Sequence, residues 1–120
     1  MRIRKEIALP LILFTFSFLL SLVAASIREN PGYMDEAYYY LSARNLYRGN
    51  GFTEMILWNY LDEPIGLPHP SHLYWMPFPS IVAAGGMMLW GRESYMAASF
   101  LFAAAAGTIP LVTYLVGKRF

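Results

Sequence analysis

The chain has 120 residues, of which 57% are hydrophobic, 17% aromatic and only 14% charged. Soluble domains carry about 25% charged residues, so this composition describes a membrane protein, with room for only a few crossings of about 20 residues each and for no large solvent-filled catalytic domain beside them. A formal net charge of +1 without clustered Lys or Arg gives no ground for a nucleic-acid partner, and the absence of cysteine excludes disulfides, thiol catalysis and thiolate metal sites.

Arg2, Arg4 and Lys5 lead into an apolar run over residues 7–26, in which Pro10 is the one strong helix breaker. This is a first span. A cleaved signal peptide competes, because Val23-Ala24-Ala25 before Ser26 resembles a cleavage site; the run, however, exceeds the usual signal core of about 7–15 residues. On either reading the basic end stays in the cytoplasm and Ile27 onward lies outside it.

Residues 27–73 change character, since six of the eight acidic residues lie between Glu29 and Pro77, together with both histidines. This is the extracytoplasmic loop. Within it Asp35 to Arg48 has helical spacing, with Tyr39, Ala43, Leu46 and Tyr47 on one face, and Arg48-Gly49-Asn50-Gly51 is a stop. A tyrosine-rich amphipathic helix beside a span is expected in the interface plane, with Tyr38, Tyr39, Tyr40 and later Trp75 as headgroup-level anchors. A weaker segment, Phe52 to Leu61, brings Trp58 and Tyr60. Asp62-Glu63-Pro64 and Leu67-Pro68-His69-Pro70 then keep the backbone irregular.

A second span is expected over 74–90, with Pro77 and Pro79 in its first turns, where proline does least harm. Gly91-Arg92-Glu93-Ser94 is a tight polar turn, and 95–117 is a third span with Pro110 as an expected kink and Ala103 to Gly107 as a small-residue face. Gly85 and Gly86 offer the complementary close approach, so these two spans form a helical hairpin. Three alternating spans would leave Lys118 and Arg119 outside, against the positive-inside tendency; either they snorkel or further helices set the orientation. The fold class expected is thus all-α membrane protein, with about three transmembrane helices and an interfacial helix after the first.

The ordered set of Asp35-Glu36, Tyr38-Tyr39-Tyr40, Ala43-Arg44-Asn45-Leu46 and Gly49-Asn50-Gly51-Phe52 after a basic first span resembles the first extracytoplasmic loop of GT-C-type membrane glycosyltransferases. The group meant includes the dolichyl-phosphate-mannose protein mannosyltransferases and the aminoarabinose transferases. The stretch from His69 to Pro79 looks like that family's entry to its second span, and Leu89 to Ser94 like its passage to the third. No single motif is diagnostic; their order is. The resemblance covers essentially the whole chain but only the N-terminal portion of the family's architecture. It implies an N-terminal part, or a shortened relative, of an integral plasma-membrane enzyme. Such an enzyme transfers a sugar from a polyprenyl-phosphate donor to an acceptor on the extracytoplasmic face. Its partners would be the bilayer, that donor, and further transmembrane helices of the same or a neighbouring chain. A small non-catalytic helical subunit or assembly partner is the alternative.

Asp35 matches the family's first-loop acid, whose implied role is general base toward the acceptor hydroxyl. By physics alone, a carboxylate at a helix start is a cap for exposed backbone N–H groups. Glu36 is expected either to assist Asp35, to help hold a divalent cation near the donor phosphate, or to be a solvated first-turn acid. Arg44 and Arg48, four apart and therefore on one face, could meet the lipid phosphate of the donor, and solvent or headgroups would satisfy them equally. His69 and His72 have a metal-pair spacing, but Pro68 and Pro70 argue against the helix it needs, so no metal is assigned.

Overall fold

The computed structural model of the chain describes residues 2–57 and 66–119. The elements run α1 (Arg2–Ser26), α2 (Met34–Tyr47), β1 (Thr53–Glu54), β2 (His69–Pro70), α3 (Phe78–Trp90) and α4 (Tyr95–Gly117), so the chain is mostly helical. Part of the weaker Phe52–Leu61 segment, with Trp58 and Tyr60, and the Asp62-Glu63-Pro64 stretch lie outside the described residues.

Residues 7–26 of α1 and all of α4 are long and apolar enough to cross a membrane. At 1.5 Å per residue, the 25 residues of α1 and 23 of α4 reach about 37 and 34 Å, beyond a hydrocarbon core of about 30 Å. Their outer faces, including Leu11, Phe16 and Leu20 on α1 and Ile109 and Val112 on α4, are exposed and compatible with contact with lipid. The stretch expected as a second span is helical only over the 13 residues of α3. That is about 20 Å, because Tyr74 to Pro77 form bends and the helix begins at Phe78.

α1 and α4 pack against each other, with Phe18 edge-on to Phe100 at 5.7 Å. Ala103 to Gly107 was expected to meet the glycines of the neighbouring helix. Gly107 instead faces α1, where a Cβ would stand 3.0 Å from the Phe14 ring. Gly86 and Gly85 serve the α3–α4 contact: a Cβ at Gly86 would overlap the Ala97 carbonyl oxygen, and one at Gly85 would stand 3.3 Å from the Leu101 side chain. The hairpin between them is tight because Gly91 ends α3 in the left-handed region (φ +60°) and Ser94 caps α4 by accepting from the Ala97 N–H at 3.2 Å.

The core is a junction of small side chains: Ala43 from α2, Ala83, Ala84 and Met87 from α3, and Ala97 and Ala98 from α4, bordered by Tyr40, Leu46 and Tyr47. Alanines let three helices approach closely. α2 is therefore docked on the α3–α4 pair, with Ala43, Leu46 and Tyr47 of the expected face turned toward it and Tyr40 in place of Tyr39, whose ring lies against Tyr38 and His72. A second face, Tyr38 and Ser42, is also buried. The chain after α2 covers it: Asn45 donates to the Thr53 carbonyl at 2.7 Å, β1 pairs antiparallel with β2, and the His72 N–H donates to the Tyr38 hydroxyl at 2.6 Å.

Candidate functional site

Two neighbouring carboxylates at the start of α2 have different surroundings. The helix begins at Met34 with Tyr33 as its N-cap, and Tyr33 provides no side-chain cap. Asp35 is thus the second helical residue and Glu36 the third, the position from which a glutamate reaches back over the helix start. Glu36 does so: it accepts from the Gly32 N–H at 2.9 Å, and the Tyr33 amide also acts on it. It also accepts from the Tyr95 hydroxyl at the head of α4 and pairs with Arg28 at 3.6 Å. Burial pushes the Glu36 carboxyl up, but the Tyr95 and Gly32 donors and the Arg28 charge outweigh it and hold the group below the usual carboxylate range. The cap expected of Asp35 is therefore made by Glu36. Asp35 is exposed and, among the described residues, makes no hydrogen bond or ion pair.

Both acids line the mouth of an open cavity of about 730 Å³ between α1, α2, α3 and α4. Its mouth is polar, with Arg28, Tyr33, Tyr39, Tyr40 and Tyr95 beside the acids. Its depth is apolar and smooth, walled by alanines of α1, α3 and α4 and by Phe102. Along α4 it extends from Tyr95 to Ala106, eleven residues or about 16 Å. The lining thus combines polar groups beside the tyrosines with an apolar wall of alanines.

Arg44 and Arg48 do not line this cavity. They lie nine and thirteen residues past Asp35, about 14 Å or more along the helix, and both bind Glu93 in the α3–α4 turn. Arg44 Nε donates to one Glu93 oxygen at 2.5 Å, and Arg48 engages both, at 2.7 Å each. The Arg48 hydrogen bonds hold Glu93 well below the usual carboxylate range, with burial opposing and Arg44 adding to the effect. The cation at the cavity is Arg28, alone among the described lining residues. It sits in the connector after α1, where no periodicity marked it out.

Of the tyrosines expected as interface anchors, Tyr38 is buried, while Tyr39 and Tyr40 are half-buried and line the cavity. Tyr38 is 5% exposed, lies 5.3 Å from Trp75 and 5.2 Å from His72 between ring centroids, and burial pushes its phenol up to about 12, the His72 amide opposing and Glu54 adding. Tyr40 packs on Tyr95 and carries Arg44 over its ring. The reason is that the loop folds back onto α2, which turns a surface stripe into a second packed face.

His69 and His72 occupy separate settings. His69 lies between the Ile56 carbonyl (2.6 Å), the Pro70 carbonyl (3.0 Å) and the buried Glu54 carboxylate (3.5 Å), fixing β2 to β1. His72 lies among the Tyr38, Tyr39 and Phe52 rings, and burial lowers its pKa below the ordinary histidine value, with Glu54 and the Trp75 backbone opposing. Among the described residues no group of three or more His, Asp or Glu is arranged to hold a metal ion.

Comparison with protein-family models, curated proteins and solved structures finds no match to this chain.

Proposed function

We propose that the chain is the N-terminal part, or a shortened relative, of a GT-C-like glycosyltransferase that uses a polyprenyl-phosphate sugar donor, with Asp35 as general base. In this reading the segments 7–26, 74–90 and 95–117 cross the plasma membrane. The N-terminus is cytoplasmic, and residues 27–73, including α2, lie on the extracytoplasmic side. α3 spans with help from the bends that precede it or from neighbouring helices.

One observation carries the proposal. At the mouth of an apolar cavity set between lipid-compatible helices, one carboxylate is fully engaged in structure and its neighbour has no partner among the described residues. A base must have a free lone pair and a fixed position, and Asp35 has both, because Glu36 anchors the backbone beside it. In the reaction, the acceptor hydroxyl oxygen attacks the anomeric carbon as the bond from that carbon to the donor phosphate oxygen breaks. The hydroxyl proton passes to Asp35, and the polyprenyl phosphate leaves with the bonding electron pair.

Asp35→Asn in the longest version of the protein tests this. Transfer from a polyprenyl-phosphate donor is expected to fall by about 10²–10⁴-fold with unchanged thermal unfolding. Undiminished transfer would remove Asp35 as the base and leave the non-catalytic subunit as the better account.

A further inference from the structure

The sequence directs attention to Arg44 and Arg48 as the cations for an anionic head, yet both are engaged with Glu93 and outside the cavity. Arg28 lines the mouth instead, with its side chain 56% exposed. Its guanidinium hydrogen-bonds to the Tyr95 hydroxyl oxygen, and Glu36 pairs with it at 3.6 Å, longer than a hydrogen bond. Glu36 does not depend on it, because the Gly32 N–H and the Tyr95 hydroxyl remain on the carboxylate without it. The pair is thus asymmetric: one member is fixed by donors from the chain before α2 and from α4, while the other is more than half exposed and is held otherwise by the Tyr95 hydroxyl. An exposed ion pair of this kind is worth little in itself, so a stronger anion can displace Glu36 from Arg28 at small cost. Arg is also suited to such an exchange, since its planar fork takes a phosphate through two parallel hydrogen bonds.

From this we infer that Arg28 is the residue that receives the anionic head of an amphiphile seated in the cavity, and that Glu36 is a positioning residue which holds Arg28 at the mouth until that anion replaces it. The inference rests on the reading of the site as one for a lipid-linked phosphate, and it assigns Glu36 no contact with the reacting atoms. The apolar chain of the ligand lies along Ala98, Phe102 and Ala106. The phosphate leaves Asp35 free to face the acceptor.

The test is equilibrium binding to the purified full chain in dodecyl maltoside micelles, with farnesyl phosphate, farnesol and inorganic phosphate as probes. Wild type is expected to bind farnesyl phosphate at least about tenfold more tightly than farnesol, the worth of one charge-assisted contact, and to bind inorganic phosphate far more weakly than either. Arg28→Gln is expected to erase the preference for the phosphate while leaving farnesol binding unchanged, which also shows that the cavity is intact. Arg28→Lys should restore part of it. Glu36→Gln, which keeps hydrogen-bonding capacity at the helix start, should tighten farnesyl phosphate severalfold and leave farnesol unchanged. Arg44→Gln should not change the preference. The inference is overturned if Arg28→Gln retains the preference, if Arg44→Gln removes it, if Glu36→Gln weakens phosphate binding, or if inorganic phosphate binds as well as the farnesyl ester. Asp35→Asn separates the two claims: a phosphate preference that needs Arg28, in a protein whose sugar transfer does not need Asp35, would refute the base and not the anion site.

Discussion

The two ends of α2 carry similar numbers of charged groups and use them differently. At the C-terminal end, Arg44 and Arg48 close on the single carboxylate of Glu93, so that both cations and the anion are satisfied. At the N-terminal end, Glu36 gathers Tyr95, Gly32 and Arg28 while Asp35 is left open at a cavity mouth. One end is closed electrostatically and the other is not. Both are fixed to neighbouring positions around the start of α4, Glu93 and Tyr95, so the closed end serves as the anchor against which the open end is held. Charge density at a helix end thus does not predict which groups are paired: among the described residues Asp35 is left without a partner while Glu36, Arg44 and Arg48 are engaged.

The largest disturbance to this arrangement is expected from Gly86→Ala. A methyl group there overlaps the Ala97 carbonyl oxygen, forces α3 away from α4 and removes the platform beneath both ends of α2. A loss of about 1–3 kcal/mol is expected for such overpacking, measured as reversible unfolding in mild detergent. A neutral result would mean that the α3–α4 contact is looser than described. Next comes the contrast between adjacent acids. Glu36→Ala should cost about 1 kcal/mol as a lost helix cap, whereas Asp35→Ala should stay within about 0.5 kcal/mol of wild type, as surface substitutions do. Equal losses would erase the distinction between the structural and the open carboxylate.

The smallest expected effect is on pH dependence. Glu36 and Glu93 are both held below the ordinary carboxylate value of 4.5, so the stability they contribute is present above that pH and is lost as the pH falls below it through their lower folded values. His72 is lowered from 6.5 by burial; it stays neutral in the fold while the unfolded chain takes a proton, so its share is present above about pH 6.5 and declines below. Thermal unfolding followed from pH 7.5 down to about pH 2.5 should thus show a shallow first decline and a steeper second one. Glu93→Gln should reduce the second without removing it, because Glu36 remains. If Glu93→Gln left the acid profile unchanged, the closed end would contribute nothing in solution.

Much of the fold is legible from the chain alone. The two long apolar runs, the helix after Pro31-Gly32, its glycine stop and the Gly91–Ser94 turn each have local causes in hydropathy, spacing and caps. The choice between Asp35 and Glu36 as cap was not readable. A helix start one residue earlier, at Met34, moves Glu36 to the reaching position, and no Ser, Thr, Asp or Asn marks Tyr33 as the N-cap. Nor could spacing show where Arg44 and Arg48 point, since Glu93 lies 49 and 45 residues away and only the docking of α2 on the hairpin brings it near. The inward turn of Tyr38 has the same origin: one helical period describes the face toward α3, while the loop that buries the opposite face depends on pairing between β1 and β2. Arg28, in a connector without pattern, is visible only once the cavity is formed.

The fully buried Ser80 of α3 donates to the Tyr39 carbonyl in the middle of α2 at 3.1 Å. A bond to a carbonyl at mid-helix resists rotation of α2 about its own axis more than it resists sliding. Successive residues on a helix are separated by about 100°, so the difference between Asp35 and Glu36 at the cavity mouth is one of angle. Ser80 therefore works as an azimuthal stop: it ties the rotation of α2 to α3, and with it which of two chemically similar acids is turned to Tyr95 and which is left open.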